Sequence, residues 1–152
     1  MTQPFPLLRR PLNFLLVDDD DICLFIHRRV LELTDYCRSV HSASNGKTAL
    51  EILQRAAMGA MPVPDIILLD LDMPLMNGLG FLDAYNKLSC MNKGQIAVVL
   101  LTSSVSEKDQ EYAFSRGASE CLAKPLTQAA LNSLVSRLYR DGLPPPLMQA
   151  CM

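Results

Sequence analysis

The stretch Asp65-Ile66-Ile67-Leu68-Leu69-Asp70-Leu71-Asp72-Met73-Pro74 decides how this chain folds. Four aliphatic residues without a polar interruption suit a strand covered on both faces, as in a parallel sheet packed between helices. The run then stops at a carboxylate, Asp70. Two other runs end in the same manner: Phe14-Leu15-Leu16-Val17 stops at Asp18-Asp19-Asp20-Asp21, and Ile96-Ala97-Val98-Val99-Leu100-Leu101 stops at Thr102-Ser103-Ser104. Weaker strand patterns cover Cys37–Ser42 and Glu120–Ala123, and the second leads into Lys124-Pro125.

Helical spacing fills the gaps. Ile22, Phe25, Ile26 and Arg29-Val30 recur at helical spacing, with Asp20 or Asp21 as N-cap. Asn45 can cap a helix carrying Ala49, Ile52, Leu53 and Ala56. Gly78 opens a third, with Phe81, Leu82, Tyr85 and Leu88. Ser104-Val105-Ser106-Glu107 reads as a capping box for a fourth helix that Gly117 stops. Thr127 caps the last, whose stripe is Leu131, Leu134, Val135 and Leu138. Strand and helix alternate five times, which predicts right-handed crossovers and an α/β, doubly wound, five-stranded parallel sheet of flavodoxin type. The predicted domain spans 12–140, between an N-terminal extension (1–11) and a Pro-rich tail (141–152) holding Pro144-Pro145-Pro146.

Length and composition bound the function. The chain has 152 residues, one domain's worth, and is 49% hydrophobic, enough to close a core. Its 14 basic and 16 acidic side chains give a net charge of −2, so no bulk basic field exists to hold nucleic acid. With only a short tail after Leu138, a helix-turn-helix module is not expected, and output should pass through a protein surface or another chain. No apolar run approaches the roughly 18 residues of a membrane span. The first ten residues place Arg9-Arg10 after the apolar stretch, the wrong order for a secretory signal. Five cysteines (Cys23, Cys37, Cys90, Cys121, Cys151), odd in number and without a CxxC, argue against a disulfide framework or zinc site. A reducing, cytoplasmic setting is expected.

In an open α/β sheet, ligands bind outside the carboxyl ends of the strands. Asp18-Asp19, Asp70, Thr102 and Lys124 are therefore expected to converge on one edge. Crowded carboxylates repel one another, which argues for a bound cation, and all-oxygen ligands favour Mg²⁺ or Mn²⁺. One carboxylate can act as nucleophile toward a phosphoryl group, with metal, ammonium and hydroxyl meeting the phosphoryl oxygens.

Together, the Phe14–Asp20 run, Asp65–Gly78, Val99–Ser104 and Lys124-Pro125-Leu126 resemble the receiver domain of response regulators, over roughly Leu12 to Leu138. The resemblance implies a stand-alone signalling domain of a two-component phosphorelay, not an enzyme in its own right. Asp70 would be phosphorylated by a histidine kinase or histidine phosphotransfer protein. Asp19 would bind the metal directly, Asp18 through water, and Asp72 by its backbone carbonyl. Thr102 would move toward the phosphoryl group, shifting the helix from Val105 to Arg116, and Lys124 would pair with it. A downstream protein target is implied, and a homodimer is compatible with it. Two departures stand out. Cys121 occupies the switch position, three residues before the lysine, where many receivers carry an aromatic ring. Asp72 brings a further carboxylate beside the site.

Other readings attach to the same residues. Ile66–Asp72 also resembles the nucleophile motif of haloacid-dehalogenase-type phosphatases, but that family has its nucleophile strand early and its acidic metal pair late, and Met73-Pro74 stands where Gly-Thr is usual. A receiver-like interaction module that is never phosphorylated is the third reading. Capping alone explains Asp20-Asp21. His27 and His41 are expected at the surface, Arg28-Arg29 and Arg137 on solvated helix faces, and Met73 and Met76 as loop packing.

Overall fold

The computed structural model describes residues 10–71, 73, 78–88, 93–103 and 107–139. Its elements run β1 (Leu12–Val17), α1 (Asp21–Glu32), β2 (Cys37–Ala43), α2 (Gly46–Ala57), β3 (Ile66–Leu69), α3 (Gly78–Asn86), a 3₁₀ turn (Lys93–Gln95), β4 (Ala97–Thr102), α4 (Glu107–Ser115), β5 (Ala118–Ala123) and α5 (Gln128–Leu138). The five strands form one parallel sheet in the order β2-β1-β3-β4-β5. The two weak strand patterns are the two edges. That position explains their weakness, since an edge strand is half open to water and need not be apolar throughout.

Side-chain alternation in the central strands sorts the core into two layers. Leu15, Val17, Ile67, Leu69, Val98 and Leu100 face α2 and α3, meeting Ala49, Leu53, Phe81, Leu82 and Tyr85. Phe14, Leu16, Ile66, Leu68, Val99 and Leu101 face α1 and α5, meeting Leu31, Leu131, Leu134 and Val135. All four β3 residues are buried, and each fully buried Leu or Ile contributes roughly 1.5–3 kcal/mol. Asp20, Asn45 and Thr127 cap α1, α2 and α5 by accepting backbone N–H bonds. Gly117 follows α4 with φ +101°, a left-handed conformation that favours glycine. Of the expected capping box only Glu107 is among the described residues, and the expected tail, 141–152, lies outside them.

The helix after β1 differs from its sequence expectation. Ile22, Phe25 and Ile26, the apolar residues whose spacing marked the helix, are 69%, 67% and 42% exposed, and α1 instead buries His27 and Leu31. Two stripes of this helix have helical spacing, one through 22, 25 and 26 and the other through 24, 27 and 31. Periodicity alone cannot choose between them; docking onto Phe14 and Leu16 does. His27, expected at the surface, is therefore a core residue at 2% exposure, while His41 is half-buried. Arg28 also departs from a solvated role: it donates to the Val40 carbonyl at 2.9 Å, covering the open edge of β2. Arg137 is paired with Glu120 at 3.0 and 3.1 Å. Met73 is buried in the core.

Candidate functional site: an acidic cluster at the sheet switch point

Strand order reverses between β1 and β3, because the chain leaves β1 toward β2 on one side and later returns to β3 on the other. Parallel register then fixes what stands at the carboxyl ends. Val17 pairs with Leu69, and the Asp70 N–H donates to the Val17 carbonyl at 2.9 Å, so Asp18 and Asp70 emerge side by side. On the far side Thr102 pairs with Ala123, and the Lys124 N–H donates to the Thr102 carbonyl at 2.9 Å. The Lys124–Pro125 peptide is cis.

Carboxylate oxygens of Asp18, Asp19 and Asp70 all lie within 4.8 Å of one another, with Asp18 and Asp70 buried and Asp19 exposed. Lys124 Nζ is 2.7 Å from Asp18 Oδ2 and 3.5 Å from Asp70 Oδ2. Burial works to lower the lysine's pKa, but the adjacent Asp18 carboxylate and the Asp70 charge outweigh it and hold the ammonium above its usual range. Asp18 Oδ1 accepts the Asp20 N–H at 2.9 Å. Its Oδ2 is buried and is met by the Lys124 ammonium. Three carboxylates with no thiolate or imidazole among them fit a hard divalent ion such as Mg²⁺ or Mn²⁺.

Of the residues singled out in the sequence, the structure brings Asp18, Asp19, Asp70 and Lys124 together and stands Thr102 at the neighbouring strand end, half-buried. Cys121 is half-buried on β5 and packs against the α2–α3 layer of the core; burial pushes its thiol pKa up. Asp72 lies outside the described residues. Two features near the site escaped the sequence reading. The first is His27, whose pKa burial lowers, with the Lys124 charge adding to the effect and Asp18 opposing it. The second is the outward apolar stripe Ile22, Phe25 and Ile26, on the helix that starts directly after the acidic run. Its periodicity was visible in the sequence, but not its direction.

Comparison with known proteins gives a consistent picture. The model of the response regulator receiver domain matches residues 14–136. The chain is 30% identical over 125 residues to a protein-glutamate methylesterase/protein-glutamine glutaminase of Rhodospirillum rubrum, covering 80% of this chain and 30% of that protein. It is 32% identical over 128 residues to the aerobic respiration control sensor protein ArcB of Escherichia coli, covering 84% of this chain and 15% of that one. It thus spans less than a third of either relative's length. A crystal structure of a two-component response regulator from Cytophaga hutchinsonii superposes with a TM-score of 0.75 at 32% identity, over 84% of this chain and 97% of that one. The family match covers both acidic strand ends, the threonine and the lysine, and it sets the phosphatase resemblance aside: the chain belongs to the response regulator receiver domain family.

Proposed function

We propose that this receiver accepts a phosphoryl group from a phosphohistidine onto Asp70. The observation that carries the reading is the convergence of Asp18, Asp19 and Asp70 within 4.8 Å beside Lys124 at the switch point of the sheet. An Asp70 oxygen attacks phosphorus, the P–N bond breaks, and its electron pair leaves with the imidazole of the donor. Asp19 would hold a divalent ion directly, Asp70 would share it, and Asp18 would reach it through water, with the Asp72 backbone carbonyl completing the set. The ion, when bound, supplies positive charge to the phosphoryl oxygens. Lys124, already drawn toward Asp70, is placed to pair with a phosphoryl oxygen, and the Thr102 hydroxyl to donate to another. In this reading the chain assists its own phosphorylation but turns over no separate substrate. It acts in the cytoplasm on a downstream protein.

Docking of the donor is supported by α1. Its exposed stripe of Ile22, Phe25 and Ile26 begins beside the acidic cluster, where a histidine kinase or phosphotransfer protein must approach to bring its phosphohistidine to Asp70. On the opposite side of the site, Cys121 in place of an aromatic ring leaves the switch to Thr102 and the segment after it, with little rotamer change at residue 121.

Acetyl phosphate with Mg²⁺ tests phosphoacceptance without a donor protein. The wild-type chain should gain the mass of one phosphoryl group, and should gain nothing when Mg²⁺ is chelated before mixing. Asp70→Asn should gain nothing; labelling of that variant at the wild-type rate rejects the assignment.

A further inference from the structure

Four consecutive aspartates, Asp18 to Asp21, follow β1 and lead into α1. Among the described residues the gathered carboxylates are those of Asp18, Asp19 and Asp70, and Asp20 is not one of them. Asp20 commits its polar groups to the helix instead. Its Oδ1 accepts the Ile22 N–H at 2.9 Å and the Cys23 N–H at 3.3 Å. Its carbonyl accepts the Leu24 N–H at 2.9 Å, the first bond of the helix ladder. Capping accounts for those contacts but not for the remaining one. The Asp20 N–H donates to Asp18 Oδ1 at 2.9 Å, so the residue that starts the helix also holds a carboxylate of the cluster.

Only Asp18, Asp19 and Asp20 separate β1 from α1, which leaves little slack between strand and helix. The Asp18 main chain is tied to the sheet, its N–H donating to the Ala43 carbonyl at 3.1 Å. Its carboxylate, however, can turn about the Cβ–Cγ bond unless both oxygens are held. Lys124 Nζ stands 2.7 Å from Oδ2, and the Asp20 N–H takes Oδ1. The ammonium ends a flexible four-carbon stem, whereas the N–H belongs to backbone fixed by the helix cap. A main-chain N–H on a carboxylate is also a strong, directional bond. We propose that Asp20 is a positioning residue for metal binding: its side chain fixes the start of α1, and the N–H placed in that way orients the Asp18 carboxylate for the ion. This role rests on Asp18, Asp19 and Asp70 as the cation site, and not on which aspartate accepts phosphate.

Mn²⁺ uptake by the full chain, read from the loss of the free-ion EPR signal with no phosphoryl donor present, tests the role. Measurement in about 0.5 M KCl screens the charge of an exposed carboxylate, so that geometry is what remains. Asp20→Ala, which removes the cap, should weaken Mn²⁺ binding roughly fivefold, the factor to which a typical N-cap loss corresponds. Asp20→Asn keeps a cap of equal quality and should bind as the wild type does. Asn45→Ala, which removes the cap of α2, should lower the urea midpoint to a similar extent and leave Mn²⁺ binding unchanged. In amide exchange without metal, protection of residue 20 should fall in Asp20→Ala and persist in Asp20→Asn. Wild-type affinity in Asp20→Ala overturns the role. So does an Asn variant as weak as the Ala one, which would make Asp20 a mere charge, or an equal loss in Asn45→Ala, which would make the effect one of general stability. A wild-type chain that takes up no Mn²⁺ overturns the cation site instead. Protection of residue 20 still decides the positioning of Asp18 in that case, and an unchanged value in Asp20→Ala overturns it.

Discussion

Asp18 is the residue on which the site turns, because its two oxygens do different work. One is held by the Asp20 N–H, and the other faces the Lys124 ammonium. The raised Lys124 pKa has a stability consequence. A basic group whose pKa rises on folding contributes fully below its unfolded value, here 10.5, and the contribution fades as pH climbs through the folded one. The metal-free protein should therefore lose stability above pH 10.5, and Lys124→Met should flatten that part of the denaturation profile. Equal slopes in the two proteins would contradict the pairing. His27 carries the opposite sign. Its pKa is depressed by burial, so unfolding is favoured by protonation as pH falls below its ordinary value of 6.5. Chemical denaturation at pH 7.5 and 5.5 should show a loss for the wild type that is smaller in His27→Gln. Such a histidine is not legible in the sequence, since nothing local marks whether an imidazole on a two-striped helix turns in or out.

At the scale of elements, the central strands announced themselves and the edges did so faintly. The apolar runs before Asp18, Asp70 and Thr102 suit strands buried on both faces, while β2 and β5, each with one open edge, kept polar residues and began or ended a residue or two away from expectation. Helix direction was the least legible feature, as α1 shows. Its outward stripe leads to a prediction: Phe25→Ala should leave labelling by acetyl phosphate unchanged. In a panel of purified histidine kinases, it should slow transfer from whichever one labels the wild type fastest, by about tenfold if Phe25 is a central contact. An equal loss with acetyl phosphate would place Phe25 in the chemistry instead. Gly78 constrains the element on the other side of the site. A Cβ there would stand 2.6 Å from Leu71 Cα and 2.7 Å from the Asp70 carbonyl oxygen, both backbone atoms. Gly78→Ala should cost roughly 1–3 kcal/mol in urea denaturation and slow acetyl phosphate labelling, because the relief must come from the segment bearing Asp70. A variant as stable and as reactive as the wild type would show that α3 yields freely.

Across the whole molecule, the fold was legible because strand and helix alternate with chemistry placed only at strand ends. Parallel register then carries Asp18, Asp70 and Lys124 to one edge with no further instruction. The contacts of Asp83 were not legible: Tyr112 lies on α4 and Arg116 just after it, but their shared partner Asp83 lies on α3, and no local pattern joins them. What the whole arrangement claims is that one carboxylate, and no other in the cluster, becomes an acyl phosphate. The most direct measurement is to treat the chain with acetyl phosphate and Mg²⁺, quench with sodium borohydride, and sequence the peptides. Hydride adds at the acyl carbon and phosphate departs, and a second hydride with a proton reduces the resulting aldehyde to the alcohol of homoserine. Homoserine at position 70 alone, and only with Mg²⁺ present, is the predicted result; homoserine at position 18, 19 or 72, or at no position, would contradict it.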